Sequence, residues 1–179
     1  QLQGLSTFII EKQPRIGGAS ALSGGGVWVP NNHYLQEAGV KDTYENAKTY
    51  MDATIGDRVP EILKETYLKR GPEMLRFFHD NTKHMRFKYA TNYSDYYAHL
   101  PGGKPTGRSI EPEIIDLRLL KEWEGLILEP TISTKGFTIT GQEFHKVNMI
   151  MRTIKGKATS LKLGTRMIKS KLTGARYAS

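Results

Sequence analysis

The chain has no cysteine, which excludes disulfide frameworks, thiolate metal sites and a cysteine nucleophile. It has no run approaching the ~20 apolar residues that cross a bilayer, and its start lacks the charged-then-apolar layout of a secretory signal. The expectation is a cytoplasmic protein. Acidic residues are missing altogether from residues 144–179, where nine Lys and Arg stand. The formal net charge of +8 therefore belongs to that tail, since residues 1–143 carry 17 basic against 18 acidic side chains. A globally nucleic-acid-binding surface is disfavoured. The aromatics near that end (Trp123, Phe137, Phe144, Tyr177) are also not interleaved with the charge, as a base-stacking platform requires. The five histidines show no metal-ligand spacing, and no internal repeat is visible.

With 179 residues, 38% hydrophobic and 25% charged, the chain is long enough for one domain or a piece of one. Leu5–Ile10 (LSTFII) is a short apolar, β-branched run between Gly4 and Glu11-Lys12, the pattern of a buried parallel strand. Five glycines then fall between Gly17 and Gly26, too many for an element interior and suited to a backbone that turns sharply or approaches a ligand closely. Helical signals follow. Asp42 with Glu45 reads as a capping box for a helix over 43–55 carrying Ala47, Tyr50, Met51 and Ile55. Pro60 opens a second helix with Val59, Ile62, Leu63 and Tyr67 on one face. Gly71-Pro72 is expected to end it and to start a third, bearing Met74, Leu75, Phe77 and Phe78.

Met85, Phe87 and Tyr89 alternate with Arg86 and Lys88 as in a half-buried strand. Residues 90–113 form a polar, aromatic loop longer than structureless connections usually are, which marks it as functional. In it Tyr93, Tyr96 and Tyr97 surround Asp95, and Arg108 and Ser109 follow Gly102-Gly103. Phenols of this kind relay protons or hydrogen-bond a ketone, or they anchor a surface loop through their rings. Residues 158–172 read as a basic amphipathic helix using Leu161, Ile168 and Leu172, interrupted by Gly164. Its bland reading is a solvated face, and its functional one a contact with anionic lipid.

Two features point to chemistry. A buried strand ending in an acid is how dinucleotide-binding folds place a carboxylate on the adenosine ribose, and Glu11 fits that place; the glycine motif that precedes such an acid by ~20 residues would lie before Gln1. The run from Gly17 to Gly26 offers unobstructed N–H groups and the hydroxyls of Ser20 and Ser23 to a diphosphate. It is not a Walker A loop, because no Gly-Lys-Ser/Thr follows.

Taken together, GLSTFIIEK, GGASALSGGGVWVPNN, GDRVPEILKETYLKRGPEML, YSDYYAHLPGGKPTGRSIEP and EFHKVNMIMRTIKGKA resemble the 3-ketosteroid delta-1-dehydrogenase family, within the larger fumarate reductase and succinate dehydrogenase flavoprotein group. The resemblance covers nearly the whole chain. It implies an α/β fold, a partial Rossmann-like FAD-binding domain with a mostly helical insertion: residues 1–30 the strand and cofactor loop, 31–179 a helical excursion holding the active-site loop 90–113. The chain is expected to be the amino-terminal third of such an enzyme. The activity implied is FAD-dependent oxidation of the bond between carbons 1 and 2 of a 3-ketosteroid, with an external electron acceptor. Glu11 would meet the adenosine ribose, Lys12 beside it would also bind the cofactor, and Gly17, Gly18, Ala19 and Ser20 with Ser23, Gly24, Gly25 and Gly26 would line the diphosphate and flavin. Tyr96, the first tyrosine of SDYY, would be the phenol that assists the base. The base tyrosine and the ketone-binding residues of the family lie outside the chain. The alternatives are a related flavoprotein, such as a ketosteroid 4-dehydrogenase or a fumarate-reductase-like enzyme, and a basic module that touches membrane or nucleic acid through residues 146–176.

Overall fold

A computed structural model of the protein describes residues 3–128 and 138–178. They mix short helices with two small antiparallel sheets, an α/β arrangement in two compact units. One unit is Gly26–Pro112; the other joins Gln1–Gly25 to Glu113–Ser179. Among the described residues no helix is long and apolar enough to cross a membrane.

The unit Gly26–Pro112 is built on a three-stranded sheet of β1 (Val27–Trp28), β2 (Phe87–Tyr89) and β3 (Ser109–Pro112). Strand β3 lies in the middle and pairs Ile110 with both Val27 and Tyr89. Its helices are α2 (His33–Glu37), α3 (Tyr44–Ile55) and α4 (Glu61–Asn81). Two apolar clusters form its core: Val29, Tyr34, Leu75 and Ile110 in one, and Ala47, Met51 and Leu68 in the other. Helix α4 serves both, because Leu68 and Leu75 are seven residues apart and lie on one face. Burying each leucine contributes about 1.5–3 kcal/mol.

Three expectations for this unit are corrected. Gly71-Pro72 does not divide two helices, since α4 runs unbroken from Glu61 to Asn81 with Pro72 inside it. Pro72 removes one rung of the helix, but Gly71 lets β1 come close: a Cβ there would stand 3.1 Å from Val29 Cγ1. Packing on both sides of the defect outweighs the local signal. The face of Ile62, Leu63 and Tyr67 is exposed. The buried residues of α4 are Lys64, Leu68 and Leu75, and Lys64 is held by Asp52 of α3 and by Glu61 at 2.7 Å. Nor is Asp42 the cap of α3. Thr43 accepts the Asn46 N–H at 3.2 Å, which frees Asp42 for a longer-range partner.

In the other unit, α1 (Gly18–Leu22) follows the expected strand. Residues 5–10 are not a buried strand: they carry no strand pairing, and Phe8, Ile9 and Ile10 are 90%, 89% and 85% exposed. A strand needs a neighbour to take its backbone groups and a layer to cover its side chains, and no described residue supplies either. Pairing begins only at Ile16, which bridges in parallel to Ile127: Ile16 N–H donates to the Leu126 carbonyl (2.7 Å) and Leu128 N–H to the Ile16 carbonyl (2.9 Å). Two short 3₁₀ turns within Leu117–Leu126, separated by a kink at Lys121 (φ 51°), lead to that bridge. Strands β4 (Ile115–Asp116) and β5 (Tyr177–Ala178) pair antiparallel, while α5 (Gly141–Val147) packs on α6 (Ile154–Thr173). A capping box that the sequence reading passed over starts α5: Thr140 accepts from Glu143 N–H and Glu143 from Thr140 N–H. Arg166 of α6 makes a two-point contact with the Glu143 carboxylate at 2.7 and 2.9 Å. Gly164 does not interrupt α6, and Leu161, Ile168 and Leu172 face solvent.

Candidate functional site

The chemistry-bearing residues fall into two groups, one in each unit. The first is the glycine-rich stretch. Glu11 is exposed and accepts the Gln13 N–H through Oε1 at 2.9 Å; its other oxygen has no partner among the described residues. Lys12 is exposed beside it. Gly17 caps α1 with a φ of 119°, a left-handed conformation that side chains rarely adopt. A Cβ there would stand 2.5 Å from Ala21 Cβ, so only glycine lets the helix start this tightly. Gly18, Ala19 and Ser20 form the first turn, where N–H groups have no partner within the helix, and all three are exposed. Ser23 is occupied locally: its hydroxyl donates to the Ser20 carbonyl (3.0 Å) and accepts from Gly25 N–H (3.1 Å). Gly24 and Gly26 are exposed with open space where a side chain would be. A cleft of about 360 Å³, lined by Gln13, Pro14, Arg15, Gly18 and Leu128, opens next to α1. Its lining is mainly apolar, with Gln13 and Arg15 as the polar side chains.

The second group is the tyrosine loop between β2 and β3. Arg108 is its fastening point and has no exposure at all. Its Nε donates to both oxygens of Asp42 at 3.0 Å, its Nη1 to Asp95 Oδ2 and its Nη2 to the Gly102 carbonyl at 2.8 Å. The guanidinium also stands 5.9 Å from the Trp28 ring and 5.4 Å from that of Tyr50, within cation–π range. Asp42 carries a second task, accepting the N–H of Asn31, which has a φ of 53°. Lys104 stands 3.9 Å from Asp42, so two carboxylates and two cations balance within the buried cluster. Uncompensated charge here would be severely destabilising.

Around that anchor the backbone on both sides of Tyr96 is fixed. Asp95 accepts from Trp28 Nε1 (2.9 Å) and from Lys104 N–H (3.0 Å), and its own N–H donates to the Lys104 carbonyl (3.0 Å). Tyr97 N–H donates to the Tyr50 hydroxyl at 3.1 Å. Gly107, with a φ of 71°, passes so close to Tyr93 that a Cβ would overlap its carbonyl oxygen. The Tyr96 ring itself is 83% exposed, and its hydroxyl lies 3.5 Å from that of Tyr93, with ring centroids 6.4 Å apart. The shared hydrogen bond with Tyr96, and to a smaller degree burial, raises the Tyr93 phenol above its usual range. Tyr96 is thus an exposed phenol, paired with Tyr93, on a backbone held from both sides.

The sequence marked Tyr96, Asp95 and Arg108 but missed Asp42, Trp28, Tyr50 and Lys104 as their partners. The burial of Arg108 is the signal that links them, and it is a tertiary fact.

Comparison with known proteins matches an FAD binding domain to residues 1–165. The chain is 45% identical over 177 residues to a 3-oxosteroid 1-dehydrogenase of Mycolicibacterium smegmatis, and 41% identical over 175 residues to one of Mycobacterium tuberculosis (strain H37Rv). Each match covers 96% of this chain but 30% and 31% of those proteins, so the chain spans under a third of their length. A crystal structure of 3-ketosteroid delta1-dehydrogenase from Sterolibacterium denitrificans, in complex with 1,4-androstadiene-3,17-dione, superimposes with a TM-score of 0.80 at 32% identity; the match covers 98% of this chain and 32% of that one. With its match running through nearly all of the sequence, the chain belongs to the FAD binding domain family.

Proposed function

We propose that the chain is part of an FAD-dependent 3-ketosteroid dehydrogenase that introduces a double bond between carbons 1 and 2 of the steroid. The observation that carries this reading is the 41–45% identity to 3-oxosteroid 1-dehydrogenases along 96% of the chain, together with a tyrosine loop in which Tyr96 is the most exposed phenol. Residues 1–30 would belong to a partial Rossmann-like domain, and 31–179 to a helical excursion from it.

The residues present fit the cofactor. Gly17 lets α1 start tightly, and the first-turn residues Gly18, Ala19 and Ser20 are exposed, which leaves their N–H groups open to a diphosphate. Gly17, Gly18, Ala19, Ser20, Gly24, Gly25 and Gly26 would hold the diphosphate and flavin, with Ser23 keeping the turn closed through its two local hydrogen bonds. Glu11 would accept from a ribose hydroxyl with its spare oxygen, and Lys12 would offset phosphate charge. FAD, when bound, supplies the hydride sink that no side chain offers. The ketone acidifies the proton on the adjacent carbon, and Tyr96 would hydrogen-bond to the phenol that removes it, keeping that base poised. An external electron acceptor completes the cycle.

The test is the visible spectrum of the full-length protein and its response to a 3-ketosteroid without oxygen. A flavin spectrum that bleaches, with product two hydrogens lighter in ring A and unsaturated at carbons 1 and 2, is expected. A protein that stays colourless after reconstitution with FAD overturns the reading, and unsaturation elsewhere in the ring moves it to a ketosteroid 4-dehydrogenase.

A second reading concerns the membrane. On α6, Ile154, Leu161, Ile168 and Leu172 are all exposed and fall within a stripe about 40° wide at 100° per residue. Lys155, Lys162 and Lys169 flank it on one side, Lys157 and Lys171 on the other, while the opposite face carries buried Gly156 and Leu163. An apolar stripe between two rows of cations complements an anionic lipid surface, where sterols partition. Full-length protein should float with vesicles containing anionic lipid and not with neutral ones; no lipid dependence retires this reading.

A further inference from the structure

Tyr50 sits on α3, outside the loop that carries Tyr96, yet it makes two contacts that converge there. Its ring faces the Arg108 guanidinium at 5.4 Å and tilts against Trp28 at 5.8 Å. Its hydroxyl accepts the Tyr97 N–H at 3.1 Å. On the other flank Asp95 is held by Arg108, by Trp28 Nε1 and by the Lys104 backbone, so the backbone on both sides of Tyr96 is hydrogen-bonded to the scaffold. Tyr50 is 6% exposed and reaches neither solvent nor the open face on which the Tyr96 phenol stands. Burial of a phenol in an otherwise apolar and charge-paired site calls for a hydrogen-bond partner, and here that partner is the backbone next to the active phenol.

We propose that Tyr50 is a positioning residue for the reaction: its hydroxyl, by holding the Tyr97 N–H, sets the direction of the Tyr96 phenol. This rests on the dehydrogenase reading and on Tyr96 being its working phenol. A group on an exposed loop normally spends rotational freedom before it can act, and a displacement near 1 Å costs about 100-fold in rate. Tyr50 removes that freedom in advance without touching substrate or cofactor. Its ring and its hydroxyl have separate tasks: the ring packs the buried cation, and the oxygen alone orients the loop.

The separation makes the idea testable with a single-atom change. In the full-length holoenzyme Tyr50→Phe keeps the ring and deletes the oxygen. Flavin content should be unchanged and kcat for a 3-ketosteroid should fall about 10-fold, a fraction of the misplacement cost above. In a Tyr96→Phe background the same change should cost nothing further, since no phenol is left to orient. Equal losses in both backgrounds, or no loss from Tyr50→Phe alone, overturn the proposal and leave the dehydrogenase reading standing. Full activity in Tyr96→Phe alone overturns both the role of Tyr96 and its positioning. Should Tyr50→Phe fail to fold, Trp28→Phe removes the donor to Asp95 on the opposite flank and must show the same dependence on Tyr96; additive losses there sink the idea as well.

Discussion

Arg108 and Asp95 form an ion pair in which neither side chain is reached by solvent. Asp42 shares the guanidinium, so removing the cation strands two buried carboxylates at once. Arg108→Met should destabilise the protein by about 3–5 kcal/mol, read as a shift of the chemical-denaturation midpoint. A cost under about 1 kcal/mol would mean that water enters the cluster.

Two glycines of α6 should respond in opposite ways. Gly164 has open space where a Cβ would project, and Gly164→Ala should stabilise by about 0.5–1 kcal/mol through lower chain entropy and better helix propensity. At Gly156 a Cβ would stand 2.6 Å from the Met149 carbonyl oxygen and 2.8 Å from that of Lys146, so Gly156→Ala should lower the melting temperature. Thermal melts of both variants decide the matter.

His33 is 5% exposed, and neither ring nitrogen has a hydrogen-bond partner among the described residues. Burial first, then Arg76 and the neighbouring His79, pull its pKa below 6.5, although Glu37 and Asp80 pull the other way. The unfolded chain therefore binds a proton that the native state refuses. Stability is fully present above about pH 6.5 and declines as pH falls from there toward the lowered native value. His33→Phe should flatten that part of the stability profile. An unchanged slope would assign it to other groups.

The pairs around Lys64 should act at still lower pH. Hydrogen bonds from Lys48 and Lys64 hold the Asp52 and Glu61 carboxylates below their usual ranges. Their contribution is present above about pH 4.5 and is lost as pH drops through the lowered native values. Lys64→Met, which keeps the length of the stem, should lower stability above about pH 4.5 and flatten its fall below that, as unfolding scans across acidic pH would report.

The sequence was most legible where a pattern is local. The helix Tyr44–Ile55 and the presence of β2 follow from spacing, but β2 is only Phe87–Tyr89, half-buried throughout with Met85 exposed, and the loop expected over 90–113 ends at the central strand Ser109–Pro112. It was least legible where a distant partner decides. Asp42 looks like a cap until Arg108, 66 residues on, is seen to take it. Pro72 looks like a break until Val29 is found against Gly71. Lys64 belongs on a polar face until Asp52 is brought across from α3. Residues 5–10 have the composition of a strand, but composition cannot furnish the neighbour a strand requires. In the candidate site Tyr96 stands out through its motif, whereas the parts that hold its loop come from β1, α3 and the Lys41–Asp42 segment.

The loop bearing Tyr96 leaves the sheet after Ala90 and returns at Ser109, and those two residues are themselves joined, Ala90 N–H to the Ser109 carbonyl at 2.9 Å. It is a bag drawn shut at the neck. Residues gained or lost inside it alter what it can reach, yet leave untouched which side chain of β3 meets Val29. Such a design lets the length of the loop change while the scaffold underneath stays in frame.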